Sequence, residues 1–134
     1  MRFASTLASF SIASALVLAS PGASAHHSYA MFDSSSTRTV VGTVAKLEWK
    51  NPHVFLWVYV AKPGAPGEHD LWAFENGSPT GLSARGWTRG SFKTGEKVTI
   101  EYWPLRNGAK VGHFERATWA DGRKLAGAGG PGRF

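Results

Sequence analysis

The residues with the greatest chemical potential in this chain are the adjacent histidines His26 and His27, which directly follow Ala23-Ser24-Ala25. Small residues in an A-x-A arrangement are typical of the site at which a signal peptide is cleaved. Cleavage after Ala25 would make His26 the new amino terminus, where its α-amine and its ring Nδ1 can chelate one metal ion together. The junction therefore predicts a metal-binding amino terminus.

Copper is the metal expected at such a terminus. Imidazole and amine nitrogens without sulfur suit Cu(II), which leads the divalent affinity order. The α-amine must lose a proton to bind, and its ordinary pKa of about 7.7 to 8.0 makes that loss easy once a metal competes for the nitrogen. The alternative is a flexible terminal segment in which the pair His26 and His27 has no role.

His53 is the candidate for a third ligand because it follows Asn51-Pro52 in the connection between two predicted strands. It either completes a site with the amino terminus or, together with Asn51, satisfies backbone groups of the loop, as partly buried histidines commonly do. The remaining histidines, His69 and His113, lie in sequence contexts that favour no particular role.

Residues 1–25 have the three parts of a signal peptide. They contain the basic Arg2, an apolar stretch from Phe3 to Ala19 that serines interrupt, and Pro21-Gly22 before the cleavage motif. The alternative is an anchor helix that stays in the membrane, which needs about 20 predominantly apolar residues. The interrupting serines favour removal, so we expect a periplasmic or secreted protein.

The composition excludes several kinds of function. The 134 residues include no cysteine, which rules out disulfides, thiolate metal sites and cysteine catalysis. No serine lies in a nucleophile-elbow motif, and no glycine-rich phosphate loop joins a predicted strand to a helix. Because none of the recurrent catalytic arrangements is present, we expect a protein that is not an enzyme.

The chain is basic, with 15 lysines and arginines against 9 acidic residues and a formal net charge of +6. Only Arg2 among these charges belongs to residues 1–25, so cleavage would leave the surface basic. A basic surface favours anionic partners, and for an exported protein we expect an anionic polymer, a membrane surface or a partner protein rather than nucleic acid. The alternative is a charge that serves solubility alone.

Short β-type runs separated by turn residues dominate the chain after the junction. Five strands are predicted, and one short helix, capped by Ser78 and begun by Pro79, lies between the third strand and the fourth. Gly42 is a candidate β-bulge in the first strand. The predicted strands are Arg38–Trp49, Val54–Ala61, Glu68–Asn76, Lys97–Trp103 and Val111–Ala120, and the helix is Pro79–Arg85.

The second predicted strand is apolar on both of its faces. Its aliphatic residues suit a barrel interior, because successive side chains of a strand point to opposite sides. The other side consists of Phe55, Trp57 and Tyr59, here called the aromatic face. Three roles are open to it: packing under a loop or tail, an interface between copies, or a platform that binds a ligand or partner.

Five strands with one helix between the third and the fourth follow the order of an oligonucleotide/oligosaccharide-binding (OB) barrel, a partly open Greek-key arrangement. We therefore predict an all-β protein with a small five-stranded OB-like barrel. The expected division is a signal peptide at 1–25, an amino-terminal segment at 26–36, the barrel at 37–124 and a disordered glycine-rich tail at 125–134.

Several short motifs of this chain together resemble those of a known protein family. They are His26-His27-Ser28-Tyr29-Ala30-Met31-Phe32-Asp33, Val41-Gly42-Thr43-Val44, Trp49-Lys50-Asn51-Pro52-His53, Leu71-Trp72-Ala73-Phe74-Glu75 and the stretch from Leu82 to Trp87. Together they resemble the small exported bacterial proteins catalogued as domain of unknown function 6152. The resemblance covers nearly the whole chain after the junction. It implies export and a single small β domain, and it implies no particular activity, ligand or cofactor.

Overall fold

Five long strands and their hydrogen bonds define the fold in the computed structural model, which describes residues 27–129, the side chains from residue 29 onward. The strands are β1 (Arg38–Glu48), β2 (Phe55–Ala61), β3 (His69–Glu75), β4 (Lys97–Pro104) and β5 (Val111–Trp119), with a short β6 (Lys124–Ala126) after them. The helices are α1 (His27–Ala30) and α2 (Pro79–Ser83). No helix in this part of the chain is long and apolar enough to cross a membrane.

The five long strands close into a barrel. β1 pairs with β2 and β4, β2 pairs with β3, and β4 pairs with β5, all in antiparallel fashion. Parallel pairing of β3 with β5 completes the ring. With α2 between β3 and β4, this confirms the predicted five-stranded OB-like barrel.

The barrel interior is filled by alternate residues of each strand, as the pattern of β2 predicts. Val54, Leu56 and Val58 are at most 1% exposed, whereas Phe55, Trp57 and Tyr59 point outward. Aromatic rings complete the interior. Trp87, Phe92, Phe114 and Trp119 form a chain of ring contacts with centroid distances of 4.9 to 6.2 Å. Burying these large apolar side chains is the main source of stability in a chain without disulfides.

The bulge in β1 lies at Ala45, not at Gly42 as predicted. The register with β2 shifts between Val44 and Lys46, which leaves Ala45 without a partner. Gly42 instead pairs regularly with Val60, and a Cβ atom there would lie 2.5 Å from the Tyr59 carbonyl oxygen and from a methyl group of Val58. Glycine is needed at this position because the two strands approach closely.

We expect Gly42→Ala to lower the free energy of unfolding by about 2 kcal/mol, since the added methyl group overpacks the contact between β1 and β2. Gly90→Ala is the matched control, because a Cβ atom at Gly90 meets nothing closer than 3.7 Å. Urea unfolding of the two variants and the wild type measures the difference. Equal stability of Gly42→Ala and Gly90→Ala would contradict the close approach.

Helix α2 begins as predicted and ends two residues early. Ser78 is its N-cap and accepts a hydrogen bond from the Gly81 amide, and Pro79 occupies the first turn. After Ser83 the chain forms a turn, and the Trp87 amide donates to the Leu82 carbonyl. The predicted last residues, Ala84 and Arg85, belong to this turn and not to the helix. Leu82 is completely buried and fastens the helix to the barrel.

The prediction of a disordered tail at 125–134 was wrong for residues 125–129. β6 pairs with β5, the Trp87 indole donates to the Ala126 carbonyl at 2.7 Å, and the Ala128 amide donates to Asn76 Oδ1 at 2.8 Å. A Cβ atom at Gly127 would lie 2.5 Å from the carbonyl oxygen of Phe114. The small residues therefore allow the tail to lie against β5. Residues 130–134 are outside the described part.

The amino-terminal segment covers part of the outer barrel surface. After α1, Phe32 forms a β-bridge with Leu105 and is 2% exposed. The Asp33 amide donates to the carbonyl of Pro104, and the Arg106 amide donates to the carbonyl of Met31. These bonds fix the segment across the end of β4. The predicted signal peptide at 1–25 lies outside the described residues, as does His26.

Candidate functional site

The closure of the barrel brings two chemically active side chains together on its outer surface. Glu75 ends β3 and pairs with His113 of β5, while Trp103 of β4 pairs with His113 from the other side. Their chain neighbours Phe74 and Phe114 are fully buried in the interior. By alternation, Glu75 and His113 face outward. The amino-terminal segment lies over this point, so both side chains are nevertheless shielded from water.

His53 joins this cluster from the connection between β1 and β2. Its Nδ1 lies 2.5 Å from Glu75 Oε1, and the two side chains are 33% and 14% exposed. Burial raises the pKa of the Glu75 carboxyl, and the attraction and hydrogen bond of His53 oppose that rise. A carboxylate that accepts the Nδ1 proton holds the ring in one orientation and leaves Nε2 as the nitrogen with a lone pair.

His113 is buried among aromatic rings and is only 2% exposed. Its ring lies 5.1 Å from that of Tyr29, 5.7 Å from Phe32 and 5.0 Å from Trp103, measured between centroids. Burial lowers the pKa of His113 to about 4, although a hydrogen bond to the Gly129 backbone acts in the opposite direction. The ring is therefore neutral at pH 7.

The Nε2 atom of His113 is buried and has no hydrogen-bond partner within the described residues. It lies 3.6 Å from Glu115 Oε1, which is beyond hydrogen-bond distance. The bond to Gly129 favours the protonated ring, so the ring is the donor in it.

The site is locally acidic in a basic protein. The side chains of Glu75 and Glu115 are 14% and 17% exposed. Burial raises the pKa of the Tyr29 hydroxyl, and the charges of Glu75 and Glu115 raise it further. The negative charges of both carboxylates are therefore felt at the surface that the amino-terminal segment covers. An electronegative, half-buried site of this kind favours a cation.

The contact between Tyr29 and His113 involves the first residue of the chain whose side chain is described. Tyr29 belongs to α1, which begins at His27, for which the backbone alone is described. Because successive Cα atoms are about 3.8 Å apart, covalent geometry keeps the Cα of His26 within about 11 Å of that of Tyr29. The length of the chain thus allows a ligand from His26 to reach the surface that Tyr29 covers.

The structure brings His53 into the cluster and adds three residues that the sequence did not single out: His113, Glu75 and Glu115. The only sequence signal for His113 is its place next to Phe114, which faces the core. Within residues 27–129, no three histidine, aspartate or glutamate side chains are spaced to hold a metal by themselves. A metal site here would need at least one ligand from outside these residues.

The aromatic face is only partly open. Phe55 and Trp57 are half-buried, with ring centroids 6.4 Å apart. The Trp57 indole donates to Glu48 at 2.9 Å, and the Lys46 ammonium lies 5.2 Å from the centre of the same ring. Tyr59, in contrast, is 47% exposed. Neighbouring charged side chains therefore cover the middle of the face.

A family profile described as "Family of unknown function (DUF6152)" matches residues 14–115. The chain belongs to this family. The match includes both amino-terminal histidines, His53, Glu75 and His113, and it confirms the resemblance seen in the motifs. No curated protein and no solved structure matches the chain.

The pKa of His113 predicts a specific loss of stability in acid. The unfolded chain takes up a proton on this ring as the pH falls through 6.5, whereas the folded protein does so only near 4. Stability therefore declines as the pH falls through this window, by about 2 kcal/mol between pH 7.5 and pH 5 from His113 alone. Glu75, whose pKa is raised, acts in the opposite direction in both the wild type and a His113 variant.

His113→Phe retains an aromatic ring and removes the titrating group, so the variant should lose about 2 kcal/mol less than the wild type over the same pH range. Urea unfolding at both pH values, with a chelator present, measures this. Identical pH dependence in the two proteins would show that His113 is not buried as a neutral ring.

Proposed function

We propose that the protein is exported, is processed after Ala25, and is a binding protein rather than an enzyme. In this proposal it binds copper through the α-amine and ring of the amino-terminal His26, together with His27 and His53. The observation that carries the proposal is the contact of His53 Nδ1 with Glu75 Oε1, a carboxylate whose charge acts on Tyr29 of the segment that begins at His27. A candidate third nitrogen ligand and a carboxylate thus lie close to the segment that follows the proposed chelate.

The electrostatics of the site support a cation. Glu75 is a largely buried carboxylate in a chain with a formal net charge of +6. Burying negative charge is costly unless a counter-charge compensates it. A divalent ion bound between the terminus and His53 would supply that compensation, and the nitrogen ligands favour Cu(II) over Mg²⁺ or Ca²⁺.

The orientation of His53 supports the same conclusion. Histidines that bind metals generally donate their second ring proton to a carboxylate or a backbone carbonyl. Glu75 occupies that position at Nδ1, so Nε2 of His53 is the nitrogen available to a metal. The alternative that the sequence left open, a loop histidine that satisfies backbone groups, has less support because its closest polar contact is a carboxylate.

A second candidate function is an interaction module that holds an anionic polymer, a membrane surface or a partner protein on the aromatic face. The exposure of Tyr59 favours it, as does the groove that Tyr59 forms with Thr43, His69 and Lys97. Half-burial of Phe55 and Trp57 leaves this surface small.

Copper titration distinguishes the two functions. Protein beginning at His26 should bind Cu(II) tightly and release protons, because the α-amine must be deprotonated. The same protein with its α-amine acetylated should bind at least ten-fold more weakly, since no free amine then shares a chelate ring with the His26 imidazole. Isothermal calorimetry in buffers of different ionisation enthalpy measures both the affinity and the proton release.

Equal copper affinity of the two forms would contradict the terminal chelate. If neither form binds copper while both bind anionic vesicles, and Tyr59→Ser abolishes the vesicle binding, the second candidate function replaces the first.

Glu75→Gln tests the role of the carboxylate. The amide still accepts the proton of His53 but supplies no charge, so we expect copper affinity to fall by about 10- to 100-fold. Glu68→Gln is the matched control, because Glu68 is exposed and pairs with Lys62 in a distant loop. An affinity of Glu75→Gln equal to that of Glu68→Gln would contradict the proposed role of Glu75.

A further inference from the structure

Exposed apolar side chains gather on the outer surface of three neighbouring strands. They are Val41 of β1, Tyr59 of β2 and Leu71 of β3, and each is about half exposed. Tyr59 and Leu71 are direct partners in the pairing of β2 with β3. Single exposed apolar residues are common on soluble proteins, but a group of neighbours is typical of a binding surface.

The strand register places polar side chains beside them. Thr43 pairs with Tyr59 on one side and with Lys97 of β4 on the other. Together with Val41 and His69, these three residues line one groove, here called the Tyr59 groove. An aromatic ring, a hydroxyl, an imidazole and an ammonium group therefore share one concave surface.

The two described ends of the chain pack elsewhere on the barrel. The amino-terminal segment is fixed across the end of β4, where Phe32 bridges Leu105. The tail follows β5, because β6 pairs with that strand. Packing under a loop or tail, one of the roles open to the aromatic face, therefore does not apply to Tyr59, whose ring stays 47% exposed.

The Tyr59 groove favours a negatively charged ligand. None of the described residues that line it carries a carboxyl group, and Lys97 is exposed. The carboxylates that flank His69 in the chain, Glu68 and Asp70, already pair with lysines at 3.2 and 2.7 Å. Glu96, next to Lys97, accepts a hydrogen bond from a tryptophan indole at 3.1 Å. The charge of Lys97 is thus left to complement an anion.

The chemistry of the lining suits an acidic sugar. An exposed tyrosine ring offers an apolar face on which the C–H side of a sugar ring can pack. The Thr43 hydroxyl and the His69 imidazole both donate and accept hydrogen bonds, as sugar hydroxyls require. Within the described residues, no hydrogen bond engages the Thr43 hydroxyl. Lys97 supplies the cation for a carboxylate.

Two other anionic partners fit the groove less well. A peptide that binds by its main chain needs a free strand edge, whereas β1 and β2 are each paired on both sides at Thr43 and Tyr59. An anionic membrane attracts clusters of four or more basic residues, but Lys97 is the one lysine among the described residues that line the groove. A ligand held by side chains and by one charge agrees better with this surface.

We propose that the Tyr59 groove binds an acidic oligosaccharide, with a sugar ring packed on Tyr59 and a carboxylate paired with Lys97. The inference rests on the second candidate function and narrows it to one ligand class at one site. It is independent of the copper proposal, because the groove shares no residue with the cluster of His53 and Glu75.

Calorimetry with defined oligosaccharides tests the ligand class. The probes are short oligomers of galacturonic, glucuronic and mannuronic acid, and the methyl esters of the same oligomers are the neutral counterparts. At least one acid should bind the processed protein, and its ester should bind up to about five-fold more weakly, because the ester lacks the charge that pairs with Lys97. A chelator in the buffer removes any contribution from metal ions.

Three variants locate the site. Tyr59→Ser should bind the acidic oligomer at least ten-fold more weakly, since it removes the aromatic ring. Lys97→Gln should bind the acid and the ester equally. Lys50→Gln is the matched control, because Lys50 is exposed after the end of β1 and pairs with Glu48. It should retain the affinity of the wild type and its preference for the acid.

Amide NMR of the wild type locates the ligand without any substitution. The acidic oligomer that binds should shift the amide resonances of Thr43, Tyr59 and Lys97 and leave that of Lys50 unchanged. Urea unfolding of the variants accompanies the titrations, so that a loss of binding is not confused with a loss of the fold. Should Tyr59→Ser fail to fold, the NMR measurement decides in its place.

Several results would overturn the inference. They are equal binding by Tyr59→Ser and the wild type, equal affinity of the wild type for acid and ester, amide shifts confined to other surfaces, and a panel in which no acidic oligomer binds. If anionic vesicles or polyglutamate bind and depend on Tyr59 while the sugars do not bind, the second candidate function stands with another partner. If none of these probes binds, that function fails as well. The copper proposal is decided separately, by the titration without chelator.

Discussion

The parallel pairing of β3 with β5 is the constraint on which the rest of the structure depends. It closes the barrel and so allows Val54, Phe74 and Phe114 to be buried in one interior. It also sets Glu75 beside His113 on the outer surface, although 38 positions separate them in the sequence. Without this closure neither the core nor the candidate site would exist, because no local element joins the two residues.

The outer surface at this point is a second, smaller packing layer. Phe32, Tyr29 and Trp103 surround His113, and backbone hydrogen bonds from Asp33 and Arg106 secure the covering segment. The tail is held from the other side, because Asn76 accepts a hydrogen bond from Ala128 and lies next to Glu75 in the chain. Both ends of the described chain therefore meet at the polar cluster. Segments that would otherwise be disordered are ordered by the surface that they cover.

Much of the barrel could be predicted from the sequence, because the strands alternate cleanly and Ser78-Pro79 marks the helix. The ordered tail could not: Gly127 fits against Phe114 because it has no side chain, and its glycine-rich context is also typical of disorder. The sequence predicts the bulge at Gly42, whereas the structure has it at Ala45. The two are hard to distinguish because a glycine in a strand is typical both of a bulge and of a close approach between two strands. Of the candidate site, the sequence indicated His53 and the terminal pair. The sequence did not indicate His113 and Glu75, because barrel closure, and not their spacing along the chain, brings them together.

The central claim is that the amino terminus and His53 share one copper ion beside Glu75. The most direct measurement is a crystal structure of the processed protein grown with Cu(II), with anomalous diffraction recorded at the copper absorption edge. The account predicts one anomalous peak about 2 Å from both the α-amine of His26 and Nε2 of His53. A copper peak elsewhere on the protein, or a fully ordered terminus with no peak beside His53, would contradict it.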